Sequence, residues 1–153
     1  MMSQSDIEAI LKMAMDWEIE AYEFYHALSQ KNLDSSVKQI FAELAEEEQK
    51  HQKILQSFLK NPEKPLRFKR TADFKVAETV EELPPLTADM KPVDAITLAM
   101  KREEMAMNHY KSMAEHSETP EQAKIFEELS YMEQSHKTRL EELYTNMAFP
   151  EVW

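Results

Sequence analysis

Apolar and small side chains recur at steps of three, four and seven along four stretches of the chain, the spacing that lays one helix face against a core. The first stretch carries Ile7, Leu11, Ala14, Ala21, Tyr25 and Leu28, and Ser5 with Glu8 predicts a capping box at its start. The second follows Asp34 as N-cap, shows Ile40, Leu44, Leu55 and Phe58, and should stop at Asn61-Pro62, where proline cannot continue a helix. The third begins between Asp89 and Pro92 and carries Ile96, Ala99, Ala106, Tyr110 and Met113. The fourth starts at Thr119-Pro120 with Gln122 completing a cap, runs through Ile125, Leu129, Leu140 and Leu143, and should fray near Asn146.

Short loops join the first helix to the second and the third to the fourth, which favours antiparallel neighbours. Between the pairs, Asn61 to Lys91 holds Pro62, Pro65, Pro84 and Pro85. A connection that long suits a crossover along a bundle, with a short helix expected around Thr71 to Glu82. The pattern predicts one all-α domain over 1–153: a helical hairpin at 5–61, a crossover linker at 62–90, a second hairpin at 91–147 and a short C-terminal tail.

A repeat supports the paired hairpins. Shifted by 85 residues, the chain meets itself with 15 identities over 68 positions and no gap, where chance gives roughly 4 or 5. Ala14, Glu18, Ala21 and Tyr25 meet Ala99, Glu103, Ala106 and Tyr110. Glu43, Leu44, Glu48, Gln49, His51 and Leu55 meet Glu128, Leu129, Glu133, Gln134, His136 and Leu140.

Composition narrows the chemistry. The 153 residues include no cysteine and no glycine, which removes disulfides, thiolate ligands, cysteine nucleophiles and glycine-rich phosphate loops. The net charge of -11 speaks against nucleic acid or an anionic membrane as partner. No apolar run reaches a membrane span and no leader is visible at the start, so a cytoplasmic protein is expected.

The apolar stripes are interrupted by ionisable groups. Glu18 lies between Ala14 and Ala21, Glu103 between Ala99 and Ala106, Glu48 with His51 between Leu44 and Leu55, and Glu133 with His136 between Leu129 and Leu140. Residues three apart share a helix face, so each Glu-x-x-His pair points inward together. Buried carboxylates need compensation. Two divalent cations would balance four of them and leave both histidines neutral as ligands. An oxygen-and-imidazole set suits iron or manganese and accepts zinc. One Glu from each of two helices with Glu-x-x-His from the other two is the pattern known from di-iron and di-manganese bundles.

Tyr25 and Tyr110 follow Glu18 and Glu103 by seven residues on the same face. They read as core tyrosines, as hydrogen-bond partners of a ligand carboxylate, or as both. His26, His109 and His116 are off the ligand stripe and read as surface or boundary residues. Glu20, Glu46, Glu47 and Glu104 are rotated away and read mostly as solvated, one of them being a candidate acceptor beside the site. The methionines, including Met13, Met100 and Met107, read as core filler, and Trp17 and Trp153 carry no signal of their own.

Ala14-Met15-Asp16-Trp17-Glu18 with Ala21 and Phe24-Tyr25, Glu48-Gln49-Lys50-His51, the run from Glu103 to Tyr110, and Glu133-Gln134-Ser135-His136 together resemble the rubrerythrin branch of the ferritin-like superfamily. The resemblance covers nearly all the chain outside the linker and the tail. It implies a ferritin-like four-helix bundle with two irons. Glu18 and Glu103 would be terminal or bridging ligands, Glu48 and Glu133 would bridge or chelate, and His51 and His136 would cap one metal each. The implied activity is reduction of hydrogen peroxide or dioxygen, with iron storage without turnover, or a structural bundle holding zinc or nothing, as alternatives. Relatives commonly dimerise, so a homodimer is expected. Two departures stand out. Rubrerythrins usually add a four-cysteine electron-relay domain, and a chain without cysteine implies a separate electron donor. They also carry an extra glutamate three residues after the third-helix ligand, where this chain has Ala106.

Overall fold

A computed structural model describes residues 4–31, 34–61, 63, 65–68, 70–85 and 90–148. Four long helices account for most of them: α1 (Gln4–Ser29), α2 (Ser35–Lys60), α3 (Pro92–Glu115) and α4 (Pro120–Ala148). Asp34 caps α2, its side chain accepting from the Ser36 N–H at 2.9 Å, and α2 closes at Asn61. Pro92 opens α3, where its fixed φ suits the first turn and its missing N–H costs nothing. At α4, Thr119 Oγ1 accepts from the Gln122 N–H at 3.2 Å and Gln122 reaches back to the Glu118 N–H. α1 already runs through Ser5, so the expected cap there is not the helix start. Asp89, Pro62 and the C-terminal tail lie outside the described residues.

The core has two apolar clusters. One gathers Tyr25, Leu28, Phe41, Leu44, Ala99, Met100 and Leu140; the other gathers Leu11, Ala14, Leu55, Tyr110, Ile125, Leu129 and Met132. Every helix visits both and crosses from one to the other at its Glu or Glu-x-x-His. α1 and α4 pass from the second cluster to the first, and α2 and α3 pass the opposite way. The helices therefore run up, down, down, up, with closest packing within α1–α2 and within α3–α4. The connection from α2 to α3 must travel the length of the bundle.

That crossover lies on α4 and is held there by polar side chains. Glu128 accepts from the Phe68 N–H at 2.8 Å and from both terminal nitrogens of Arg70, whose guanidinium sits 4.0 Å from the Tyr131 ring centroid. Gln134 donates to the Thr71 carbonyl at 2.6 Å, and Thr138 donates to the Ala72 carbonyl. Lys137, fully buried, places Nζ 2.6 Å from Asp73 and 2.9 Å from Glu141, which also accepts from the Ala77 N–H. These anchors explain a difference from expectation. Instead of a helix over Thr71 to Glu82 there is a single 3-10 turn at Ala77–Thr79. The Thr71 and Ala72 carbonyls are bonded to α4 rather than to residues four ahead, and Lys75 sits at φ 57°, outside the right-handed helical region. Among the described residues no helix is long and apolar enough to cross a membrane.

Candidate metal centre

The six Glu and His side chains that interrupt the stripes meet in one layer between the two apolar clusters. Glu18, Glu48, Glu103, Glu133 and His136 are buried, and His51 is nearly so, with 14% of its side chain exposed. The two imidazoles stack at 4.9 Å between centroids. Glu48, His51 and His136 form one group of donor atoms close enough to share an ion; Glu103, Glu133 and His136 form another. Glu18 joins through His51, whose Nδ1 lies 3.7 Å from its carboxylate.

Both imidazoles turn Nδ1 toward the carboxylates. His136 Nδ1 is 2.6 Å from Glu48 and 3.6 Å from Glu103, while its Nε2 is 3.0 Å from Glu47. These contacts are short in distance but not aligned as N–H···O bonds: neither ring nitrogen of His136 has a hydrogen-bond partner. Both oxygens of Glu18, both of Glu48, Glu103 Oε2 and His51 Nδ1 are likewise buried and unpartnered. Unpartnered buried donors and carboxylates are costly. Here they converge on the same layer, which is the condition a cation would relieve. Oxygen and imidazole donors without thiolate fit iron or manganese.

The electrostatics show the same deficit of positive charge. Burial raises the Glu133 carboxyl well above the usual range, and the charges of Glu18 and Glu103 push it further. Burial works against protonation of His136, but the carboxylates of Glu103 and Glu47 outweigh it and raise the imidazole to about 10. Glu103 is likewise pushed up by burial, yet His136 brings it down to about 2. Tyr25 donates its hydroxyl to Glu103 across the bundle. Tyr110, its repeat mate, has a buried hydroxyl with no partner. Burial raises both phenols, with the Glu103 charge adding most at Tyr25 and the Glu133 charge at Tyr110, so both stay protonated.

The other residues singled out in the sequence divide. His26, His109 and His116 are exposed, and Met100 and Met107 are core. Glu47 is the acceptor beside the site, facing His136 and tied to Arg139 at 3.1 Å. Its repeat mate is Met132, so the repeat gave no signal for it. Glu104 is buried rather than solvated, because Lys101 pairs with it at 2.7 Å. Trp17 is half-buried and packs on His109 at 4.4 Å and Tyr110 at 5.2 Å.

Comparisons with known proteins agree with this arrangement. No curated protein matches the chain significantly. A hypothetical protein from Pyrococcus furiosus is similar in structure, with a TM-score of 0.58 at 28% identity over 93% of this chain and 90% of that one. The rubrerythrin family model matches residues 9–144, a span that holds all four helix cores and all six candidate ligands, and the chain therefore belongs to the rubrerythrin family.

Proposed function

We propose that this protein holds two iron ions on Glu18, Glu48, His51, Glu103, Glu133 and His136 and reduces hydrogen peroxide or dioxygen. Electrons would come from a reduced electron-carrier protein. When bound, a pair of ferrous ions supplies reducing equivalents and the positive charge that an oxygen–oxygen bond needs as it breaks.

The chain's own groups have separable tasks. The four glutamates would hold two divalent ions and offset their charge, Glu48 in one donor group and Glu133 in the other. His136 presents Nδ1 inward, while its Nε2 lies 3.0 Å from Glu47, which Arg139 holds. Tyr25 fixes the orientation of Glu103. Tyr110 keeps a proton on an unpartnered hydroxyl among the same carboxylates, available to a ligand there. The apolar clusters close the layer above and below along the bundle.

The observation that carries this reading is the convergence of buried, unpartnered oxygen and nitrogen donors in one layer. Glu48→Ala and His51→Ala should each abolish iron-dependent peroxide turnover while helical content by circular dichroism is kept. Turnover at the parent rate in either purified variant would overturn the proposal.

A further inference from the structure

A cavity of about 310 Å³ opens between α1 and α3. Trp17, Ala21, Met105 and Ala106 supply its apolar lining, Glu20, Arg102 and His109 its polar flank, and Glu103 and Glu133 of the donor layer border it. Ala21 and Ala106 are repeat mates, each three residues after a candidate ligand. Two methyl side chains thus lie along the gap at the point where it meets the donor layer. Glu103, one of the bordering residues, is only 2% exposed and keeps its Oε2 buried and unpartnered. The outer end is open, since Met105 is 65% exposed.

Size and lining restrict what belongs there. One water needs about 15 Å³ by this measure, so the space takes roughly twenty water-sized groups. Hydrogen peroxide and dioxygen have two heavy atoms each and need no such volume. A pocket of this size whose exposed lining is mostly apolar, with charged groups at its border, is a usual form of a site for a small organic molecule.

We infer that this cavity binds a small organic hydroperoxide, its hydrocarbon body against Trp17, Ala21, Met105 and Ala106 and its oxygen head at Glu103 and Glu133. As a statement about substrate, this rests on the function proposed above. Reduction of such a molecule breaks the O–O bond, takes two electrons from the electron carrier and two protons, and leaves an alcohol and water. The alcohol fits the same space and is redox-inert, so it serves as a probe of binding.

The test uses the full chain, metal-free and zinc-loaded, titrated with 2-phenylpropan-2-ol. The chain has two tryptophans, so the indole N–H region of a nitrogen–proton correlation spectrum holds two side-chain signals, assigned with Trp153→Phe. The Trp17 signal should move saturably. Ala106→Phe should weaken the probe at least about tenfold. Met105→Glu, a change on an exposed side chain that leaves the core alone, should weaken it several-fold. Absence of a saturable Trp17 response, or the same affinity in both variants, would overturn the inference. If iron uptake fails while the Trp17 response persists, the cavity stands and the metal reading falls. If metal binds and Trp17 does not respond, the cavity inference falls by itself.

Discussion

Two acidic clusters sit side by side along α4, each around a buried residue of that helix, and they are neutralised in opposite ways. Around Lys137, the carboxylates of Asp73, Glu141 and Glu78 lie 2.6, 2.9 and 3.3 Å from one ammonium that the chain itself provides. One residue earlier, His136 sits among Glu18, Glu48, Glu103 and Glu133, and among the described residues no Lys or Arg forms an ion pair with these four carboxylates. The first cluster is closed by its own cation and ties the crossover to the helix. In the second, burial and then the charges of Glu18 and Glu103 raise the Glu133 carboxyl, and neighbouring carboxylates raise the His136 imidazole against its burial. A fixed ammonium suits a permanent fastening. A layer of donors without one suits an ion that arrives from outside.

The contrast can be broken most severely at Lys137. Lys137→Met keeps the stem's bulk but removes the charge, leaving Glu141 buried without its counter-ion. It should cost about 3–5 kcal/mol in urea unfolding. Gln52→Met, at the half-exposed repeat position on α2, should stay within about 0.5 kcal/mol. Equal losses would mean the crossover is not fastened as described.

A second comparison separates the two tyrosines. Tyr25→Phe removes a hydrogen bond to a charged carboxylate and should destabilise the metal-free protein by about 1.5–3 kcal/mol. Tyr110→Phe removes a buried hydroxyl that has no partner there, so the same urea measurement should show no loss or a small gain. A gain is expected at Glu48. In the presence of a chelator, Glu48→Gln relieves an excess of buried negative charge and should stabilise by about 1 kcal/mol. In its absence, the same variant should bind metal more weakly than the parent. Stabilisation by metal as large as in the parent would show that Glu48 is not a ligand.

The convergence of the six side chains was legible in the sequence because each half of the repeat carries the same donors at the same place in an apolar stripe. The crossover was not legible, and Glu43 and Glu128 show why. They are identical repeat mates. Yet Glu43 is half-exposed and pairs with Arg139, whereas Glu128 is buried under Arg70 and the Phe68 N–H. Gln49 and Gln134 repeat the lesson, one exposed and the other bonded to Thr71. Periodicity reports the face a helix turns to its bundle. The second face of α4 is covered by irregular chain, and its polar residues read as solvated until that chain is placed. The cavity escaped notice for a related reason: Ala21 and Ala106 read as core positions, while their small size leaves the space between α1 and α3.

Anaerobic ferrous titration of the metal-free protein, followed by calorimetry, tests the central claim most directly. Two ions per chain should bind, and at about 100-fold excess over the dissociation constant Tm should rise by roughly 5–10 °C, with uptake lost in His136→Ala, whose imidazole belongs to both donor groups. An unchanged Tm with no iron taken up, or full uptake by His136→Ala, would contradict it.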